Sequence, residues 1–195
     1  MNIVTNKHPI IIFASPRSGS TAFGYHVATL YPELTYYNEP NFDVTEMKQF
    51  MKMHHNNKYI LKLIGSSLNL FPSEIVAKIF SDEVFKIKIT RKNIIDQIAS
   101  HYVATCRDLW DYKDVADDVC NNLASNNIEI ELGRLRQSIE SIDYDNGIIA
   151  KIKTDLEFYY EDLAELNSPT KKTPLPTNYP LLIDTVRQLY SSGIS

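Results

Sequence analysis

The chain has 195 residues, of which 44% are hydrophobic and 23% charged, a balance typical of a soluble globular protein with one core. We therefore expect a single domain over residues 1–195. The formal net charge of −4 provides no basic field, so nucleic acid is not an expected partner and an anionic ligand must be held by local groups.

The N-terminal segment and the cysteines bear on the cellular compartment. Residues 1–8 are polar, and the apolar run Ile10–Phe13 is too short for a signal core or a membrane span. Cys106 and Cys120 form no metal or redox spacing and suit a reducing compartment. The sequence therefore predicts a cytoplasmic protein without a transmembrane segment, and it says nothing about the oligomeric state.

Short apolar runs alternate with helical stretches, a pattern that indicates a parallel sheet with crossover helices. The predicted strands are Ile10–Ala14, Leu34–Tyr37, Tyr59–Ile64 and Val84–Thr90. The predicted helices are about Thr21–Leu30, Val44–His54, Ser73–Phe80, Ile94–Leu109 and Leu181–Tyr190. Helical periodicity also covers Val115–Ser141, whereas Asp143–Gly147 has the composition of a turn. Residues Leu156–Tyr160 alternate apolar and polar side chains.

The turn after the first strand is nearly a P-loop. The Walker pattern requires Gly, four residues, then Gly-Lys-Ser/Thr, and this chain has Ala14, four residues, Gly19, Ser20 and Thr21. Alanine thus replaces the first glycine, and serine replaces the lysine that normally reaches the β- and γ-phosphates. We therefore expect a three-layer, P-loop NTPase-like α/β fold whose loop does not handle a nucleoside triphosphate.

The loop still has the groups needed to bind an anion. The helix that follows presents backbone N–H groups and the positive end of its dipole. The hydroxyls of Ser18, Ser20 and Thr21 can converge on the same point, Gly19 permits close backbone approach, and Arg17 adds a permanently charged fork. The simpler interpretation is a helix cap, which needs only one hydroxyl.

A second anion site is predicted at the end of the fourth strand. Arg91 and Lys92 follow Val84–Thr90, and Ser100 lies on the next helix. Ligands of open α/β sheets bind at the carboxyl ends of the strands, where the first loop also lies. Two such sites suit a ligand with two separated phosphate groups, although a solvated charge pair at Arg91 and Lys92 is the alternative.

These motifs resemble the sulfotransferases that use 3′-phosphoadenosine 5′-phosphosulfate (PAPS), closest to the carbohydrate and Stf-like branches. The similar segments are PRSGST after the first strand, TRKNIIDQIASHY after the fourth, and YYEDLAEL at Tyr159–Leu166, a strand-to-helix motif. The resemblance implies that Arg17 to Thr21 bind the 5′-phosphosulfate and that Arg91 and Ser100 bind the 3′-phosphate. Lys92 gives the eight-residue spacing to Ser100 that many members use. Ala22 stands where cytosolic members have a tryptophan in an adenine-stacking role, and Phe23 is a weak substitute for it.

The same resemblance implies sulfuryl transfer to a hydroxyl acceptor, a carbohydrate or another small metabolite, without a metal. Glu39, in the Asn38-Glu39-Pro40 segment, resembles the general base of several branches, and His101 is a lower-ranked base. Lys62 is unusual inside an apolar strand and would contact either the sulfuryl group or Glu39, unless it is structural. Arg17 would stabilise charge on the transferred group.

Two other functions stay open at the sequence level: a P-loop kinase of small molecules, and a nucleotide-binding module without turnover. The missing Walker lysine counts against the kinase. Whether Lys92, Lys171 or Lys172 touches the cofactor is open, as is an acceptor groove lined by Trp110 and Tyr112.

Overall fold

The computed structural model describes residues 3, 5, 8–40, 44–53, 58–110, 117–163 and 174–193. The strands are β1 Ile10–Ala14, β2 Thr35–Asn38, β3 Tyr59–Ile64, β4 Phe85–Thr90 and β5 Leu156–Tyr159. The helices are α1 Ser20–Leu30, α2 Val44–Met53, α3 Ser73–Ile79, α4 Ile94–Arg107, α5 Asp117–Ser125, α6 Leu132–Ala150 and α7 Tyr179–Ser191. Two 3₁₀ helices cover Gly65–Leu70 and Tyr160–Leu163.

The chain folds as two compact units, Met1–Thr90 with Asp145–Ser168, and Arg91–Tyr144 with Pro169–Ser195. The boundary therefore falls directly after β4 and again inside α6. The expectation of a single domain over residues 1–195 stays a prediction.

The first unit is built on a five-stranded, all-parallel sheet in the order β2-β3-β1-β4-β5. Every residue of β1 is buried, which explains its uninterrupted apolar sequence IIIFA, since a central parallel strand is covered on both faces. Phe23 and Val27 of α1 pack on one face of the sheet. Residues of α2, α3 and the end of α6 pack on the other. The predicted α/β fold with helices on both sides of a central parallel sheet is confirmed.

The direction of each connection explains this division of the helices. A parallel crossover is right-handed, so the connection from β1 outward to β2 and the connections that return across the sheet place their helices on opposite faces. The loop after β1 thus leads to one face, while the segment after β3 leads to the other. Such a change of direction opens a crevice at the carboxyl ends of the strands.

The second unit is helical. Its core joins α4, α6 and α7 through buried residues that include Ile98, Tyr102, Ile139, Leu182 and Val186. No described helix is long and apolar enough to cross a membrane.

The prediction of a turn at Asp143–Gly147 is wrong, because these residues lie inside α6. Packing overrides the local preference for a turn: Ile142 is fully buried in the second unit and Ile149 in the first. Asp145 also finds a distant partner for its carboxylate, the backbone N–H of Ser66. The helical periodicity predicted over Val115–Ser141 belongs to two helices, α5 and α6.

Candidate anion-binding site

The loop between β1 and α1 has an unusual backbone. Arg17 has φ 59° and Gly19 has φ 72°, both in the left-handed region. Glycine adopts this conformation without cost, whereas arginine does so only where the surroundings enforce it. Glu39 has φ 44°, so two of the three described non-glycine residues with positive φ are residues that the sequence places in the site.

The N-terminus of α1 has no side-chain cap among the described residues. Its N-cap is Gly19, which has no side chain to accept the first N–H groups. The hydroxyl of Ser18 is buried next to this terminus, and its Oγ has no hydrogen-bond partner among the described residues. A buried hydroxyl without a partner is costly and needs an explanation. The uncapped N–H groups and the Ser18 hydroxyl together favour an anion over the helix-cap interpretation.

Lys62 connects this loop to Glu39. Its Nζ donates a hydrogen bond of 2.8 Å to Thr21 Oγ1 and forms an ion pair with Glu39 Oε1. The Lys62 side chain is 3% exposed, whereas that of Glu39 is 41% exposed. A lysine buried this deeply requires partners for its charge, which explains why it lies between a hydroxyl and a carboxylate. Of the two contacts expected from the sequence, the structure therefore shows the one with Glu39.

The hydrogen-bond chain continues to β2. Thr21 Oγ1 donates to Asn38 Oδ1 over a long 3.5 Å, and the hydroxyl of Tyr36 donates to the same oxygen at 3.1 Å. The Thr21 hydroxyl thus accepts from Lys62 and donates to Asn38, which holds it toward β2 and β3. Asn38 and Tyr36 are members of the site that the sequence analysis did not single out.

Asp145 is a buried carboxylate near Glu39. It is 2% exposed, and its Oδ1 accepts the backbone N–H of Ser66 at 2.6 Å, directly after β3. Burial raises the pKa of Asp145; the hydrogen bonds from Ser66 lower it, and the negative charge of Glu39 raises it again. Asp145 therefore fixes the segment after β3.

Two aromatic residues of the first unit lie beside this site: Tyr160 against the loop and Phe158 against Phe23 of α1. The ring of Tyr160, directly after β5, lies so close to Gly19 that a Cβ atom there would overlap its Cδ2 atom. Phe23 is fully buried and packs on Phe158 with ring centroids 5.3 Å apart. Phe23 is thus part of the core, which makes it a poor adenine platform, whereas Tyr160 borders the loop.

The predicted 3′-phosphate residues belong to the second unit. Arg91 forms an ion pair with Asp96, which also accepts a 2.6 Å hydrogen bond from the hydroxyl of Tyr179. Ser100 is half-buried on α4, and Lys92 is exposed. These predicted ligands thus fall in a different unit from Arg17 to Thr21.

The remaining candidates are His101, Trp110, Tyr112, Lys171 and Lys172. His101 is buried on α4, where its ring meets the ring of Trp110 edge-on at 5.2 Å. Lys171, Lys172 and Tyr112 lie outside the described residues. Within the described ranges, no cluster of three or more His, Cys, Asp or Glu side chains could hold a metal ion.

Comparisons with protein-family models, with curated proteins and with solved structures found no match to this chain.

Proposed function

We propose that this protein is a PAPS-dependent sulfotransferase that transfers a sulfuryl group to a hydroxyl of a carbohydrate or another small metabolite. The observation that carries the proposal is the bridge made by Lys62, which joins the anion loop at Thr21 to the candidate base Glu39. The anion loop, the Lys62 cation and the Glu39 carboxylate thus lie together at the carboxyl ends of strands β1, β2 and β3.

The anion loop supplies the binding groups. The uncapped N–H groups of α1, the buried Ser18 hydroxyl and Arg17 would hold the 5′-phosphosulfate of the donor. Charge that develops on the sulfuryl oxygens and on the leaving 5′-phosphate would be stabilised by the same groups and by Lys62. Ser18 and Lys62 are buried, so these two groups would need little reorganisation during the reaction.

Glu39 is placed to act as the base. Its ion pair uses Oε1, and its side chain is 41% exposed, so the carboxylate is accessible to an acceptor. Oε2 would take the proton of the acceptor hydroxyl. The hydroxyl oxygen would form a bond to sulfur as the bond between sulfur and the 5′-phosphate oxygen breaks. The products are a sulfate ester and 3′-phosphoadenosine 5′-phosphate (PAP).

The 3′-phosphate is assigned to Arg91 and Ser100 from the sequence resemblance alone. Arg91 is already paired with Asp96, so a phosphate would have to share or replace that carboxylate. The assignment predicts that the chain distinguishes PAP from 5′-AMP and that Arg91→Ala removes most of this discrimination.

The kinase alternative is less consistent with the site. A P-loop kinase uses the Walker lysine and a Mg²⁺ ion held by the loop Ser/Thr and a carboxylate. Here Ser20 stands at the position of the Walker lysine, and the hydroxyl of Thr21 already accepts a hydrogen bond from Lys62.

The deciding experiment compares ligand-induced thermal stabilisation by PAP, 5′-AMP and ATP with Mg²⁺ in the wild type and in Ser18→Ala. We expect PAP to stabilise the wild type most. In Ser18→Ala the free protein should be at least as stable, because a buried hydroxyl without a partner is removed, while PAP affinity falls about tenfold to hundredfold. Thr29→Ala, at the exposed end of the same helix, is the control and should change neither quantity.

Three outcomes would count against the proposal. Stronger stabilisation by ATP with Mg²⁺ than by PAP favours a kinase. Unchanged PAP affinity in Ser18→Ala removes the loop from the site. Tight PAP binding with no transfer of labelled sulfate to any sugar or small alcohol favours a binding module without turnover.

A further inference from the structure

Lys62 occupies a position that is chemically distinctive in a P-loop-like site. In the Walker register Thr21 is the Ser/Thr position, whose hydroxyl coordinates Mg²⁺ in P-loop enzymes together with a carboxylate. In this chain the Nζ of Lys62 contacts a corresponding pair of oxygens, Thr21 Oγ1 at 2.8 Å and the carboxylate of Glu39.

The oxygens around Nζ are those that a hard divalent cation prefers. Mg²⁺ and Mn²⁺ bind hydroxyl, carboxylate and amide oxygens and keep several waters. The amide oxygen Oδ1 of Asn38 lies 3.5 Å from Thr21 Oγ1 and is a further oxygen of this kind next to that pair. The Lys62 side chain is 3% exposed, so its ammonium group is shielded from solvent where it contacts Thr21 and Glu39.

We propose that the ammonium group of Lys62 is a built-in replacement for the divalent cation, and that its removal converts Thr21, Asn38 and Glu39 into a site for Mg²⁺ or Mn²⁺. The inference deepens the proposed function, since it identifies the cation that faces the transferred group, but cation binding can be measured without any nucleotide. It also accounts for the serine at position 20. The loop lacks the Walker lysine, but Lys62 of β3 supplies an amine to it.

The test measures Mn²⁺ binding by electron paramagnetic resonance in the 195-residue chain, with thermal stability as a second readout. Lys62→Ala opens a space the size of a lysine side chain while keeping all three oxygen ligands. We expect saturable Mn²⁺ binding at least about tenfold tighter than in the wild type, with Mn²⁺ and Mg²⁺ raising the melting temperature.

Two matched variants identify the site. Lys62→Met keeps the volume of the side chain without its charge, so it should fold and bind no more Mn²⁺ than the wild type. The double variant Lys62→Ala/Glu39→Gln keeps the space but loses the anionic ligand, so its Mn²⁺ affinity should return to the wild-type level.

Stability must be separated from cation binding, because Lys62→Ala also creates a cavity in β3. Lys62→Asp provides the second measurement: it adds a carboxylate, and we expect its folding to depend on Mn²⁺. Equal Mn²⁺ binding by Lys62→Ala and Lys62→Met overturns the proposal, and so does failure of both Lys62→Ala and Lys62→Asp to fold in Mn²⁺. If Mn²⁺ binds as expected but PAP does not bind the wild type, the cation inference stands and the proposed sulfotransferase function fails.

Discussion

The ring of Tyr160 lies against the Cα of Gly19, at the point where the anion loop enters α1. Two constraints therefore act on Gly19: its φ of 72° and the absence of space for a side chain. Since Tyr160 follows β5 and Gly19 follows β1, this contact ties the loop to a strand at the edge of the sheet.

Gly19→Ala should lower both the stability and the anion affinity of the protein. The left-handed backbone costs about 1 kcal/mol for alanine, and the new Cβ forces the ring of Tyr160 away. Adding Tyr160→Ala removes the clash but not the backbone cost, so the unfavourable effect of Gly19→Ala should be smaller in that background. Denaturant unfolding of the four proteins in this cycle measures the coupling, and equal effects in both backgrounds would show that Tyr160 does not constrain the loop.

Glu39→Gln should separate binding from transfer. Glutamine keeps the shape of the side chain and an oxygen that can accept from Lys62, but it is a far weaker base. We expect the transfer rate to fall by about 10²- to 10⁴-fold while PAP affinity changes little. Single-turnover transfer of labelled sulfate and a PAP titration measure the two quantities, with the exposed Glu33→Gln as control. A rate within a few-fold of the wild type would exclude Glu39 as the base.

Local sequence signals predicted strands β1 to β4 and singled out Thr21, Glu39 and Lys62, which the structure brings together. Strands β1 and β3 begin and end where their apolar runs do, because a central parallel strand must be apolar throughout. Lys62 stood out for the same reason, since a charge inside such a run needs a partner.

The rest of the site depends on contacts between segments that are far apart in the chain. Asp145 and Ser66 are 79 residues apart, and nothing local to Asp145 predicts a buried carboxylate in a helix. The contact between Tyr160 and Gly19 arises only once β5 lies beside β4 and β4 beside β1. Sequence patterns show what each segment needs locally, but not which distant group meets that need.

Gly24→Ala should destabilise the protein, contrary to the usual effect of this substitution within a helix. Alanine is normally favoured over glycine there by about 1 kcal/mol. In α1, however, a Cβ atom at Gly24 would overlap the hydroxyl of Tyr36, which donates to Asn38. Gly147 of α6 has open space around it, so Gly147→Ala is the matched control and should be stabilising. Changes of the same sign in the free energy of unfolding would contradict the close contact at Gly24.

Asp145→Asn should change how stability depends on pH. Burial, the largest cause, raises the pKa of Asp145 above its usual 3.8, so the folded state holds this proton more tightly than the unfolded state. The wild type therefore loses stability from this group as pH rises from 3.8 through the raised pKa, because the unfolded state releases the proton first. Asparagine can still accept the Ser66 N–H through its side-chain oxygen, but it does not ionise.

Relative to the wild type, Asp145→Asn should thus become more stable as pH rises from about 4 to about 7. Melting temperatures of both proteins across this range measure the difference. Asp143→Asn is a useful comparison in the same helix, since burial also raises the pKa of Asp143 but the charge of Glu39 is not among the causes. Adding Glu39→Gln should therefore reduce the pH-dependent gain at Asp145 and leave that at Asp143 unchanged. A gain at Asp145 that is independent of Glu39 would show that the two carboxylates are not coupled.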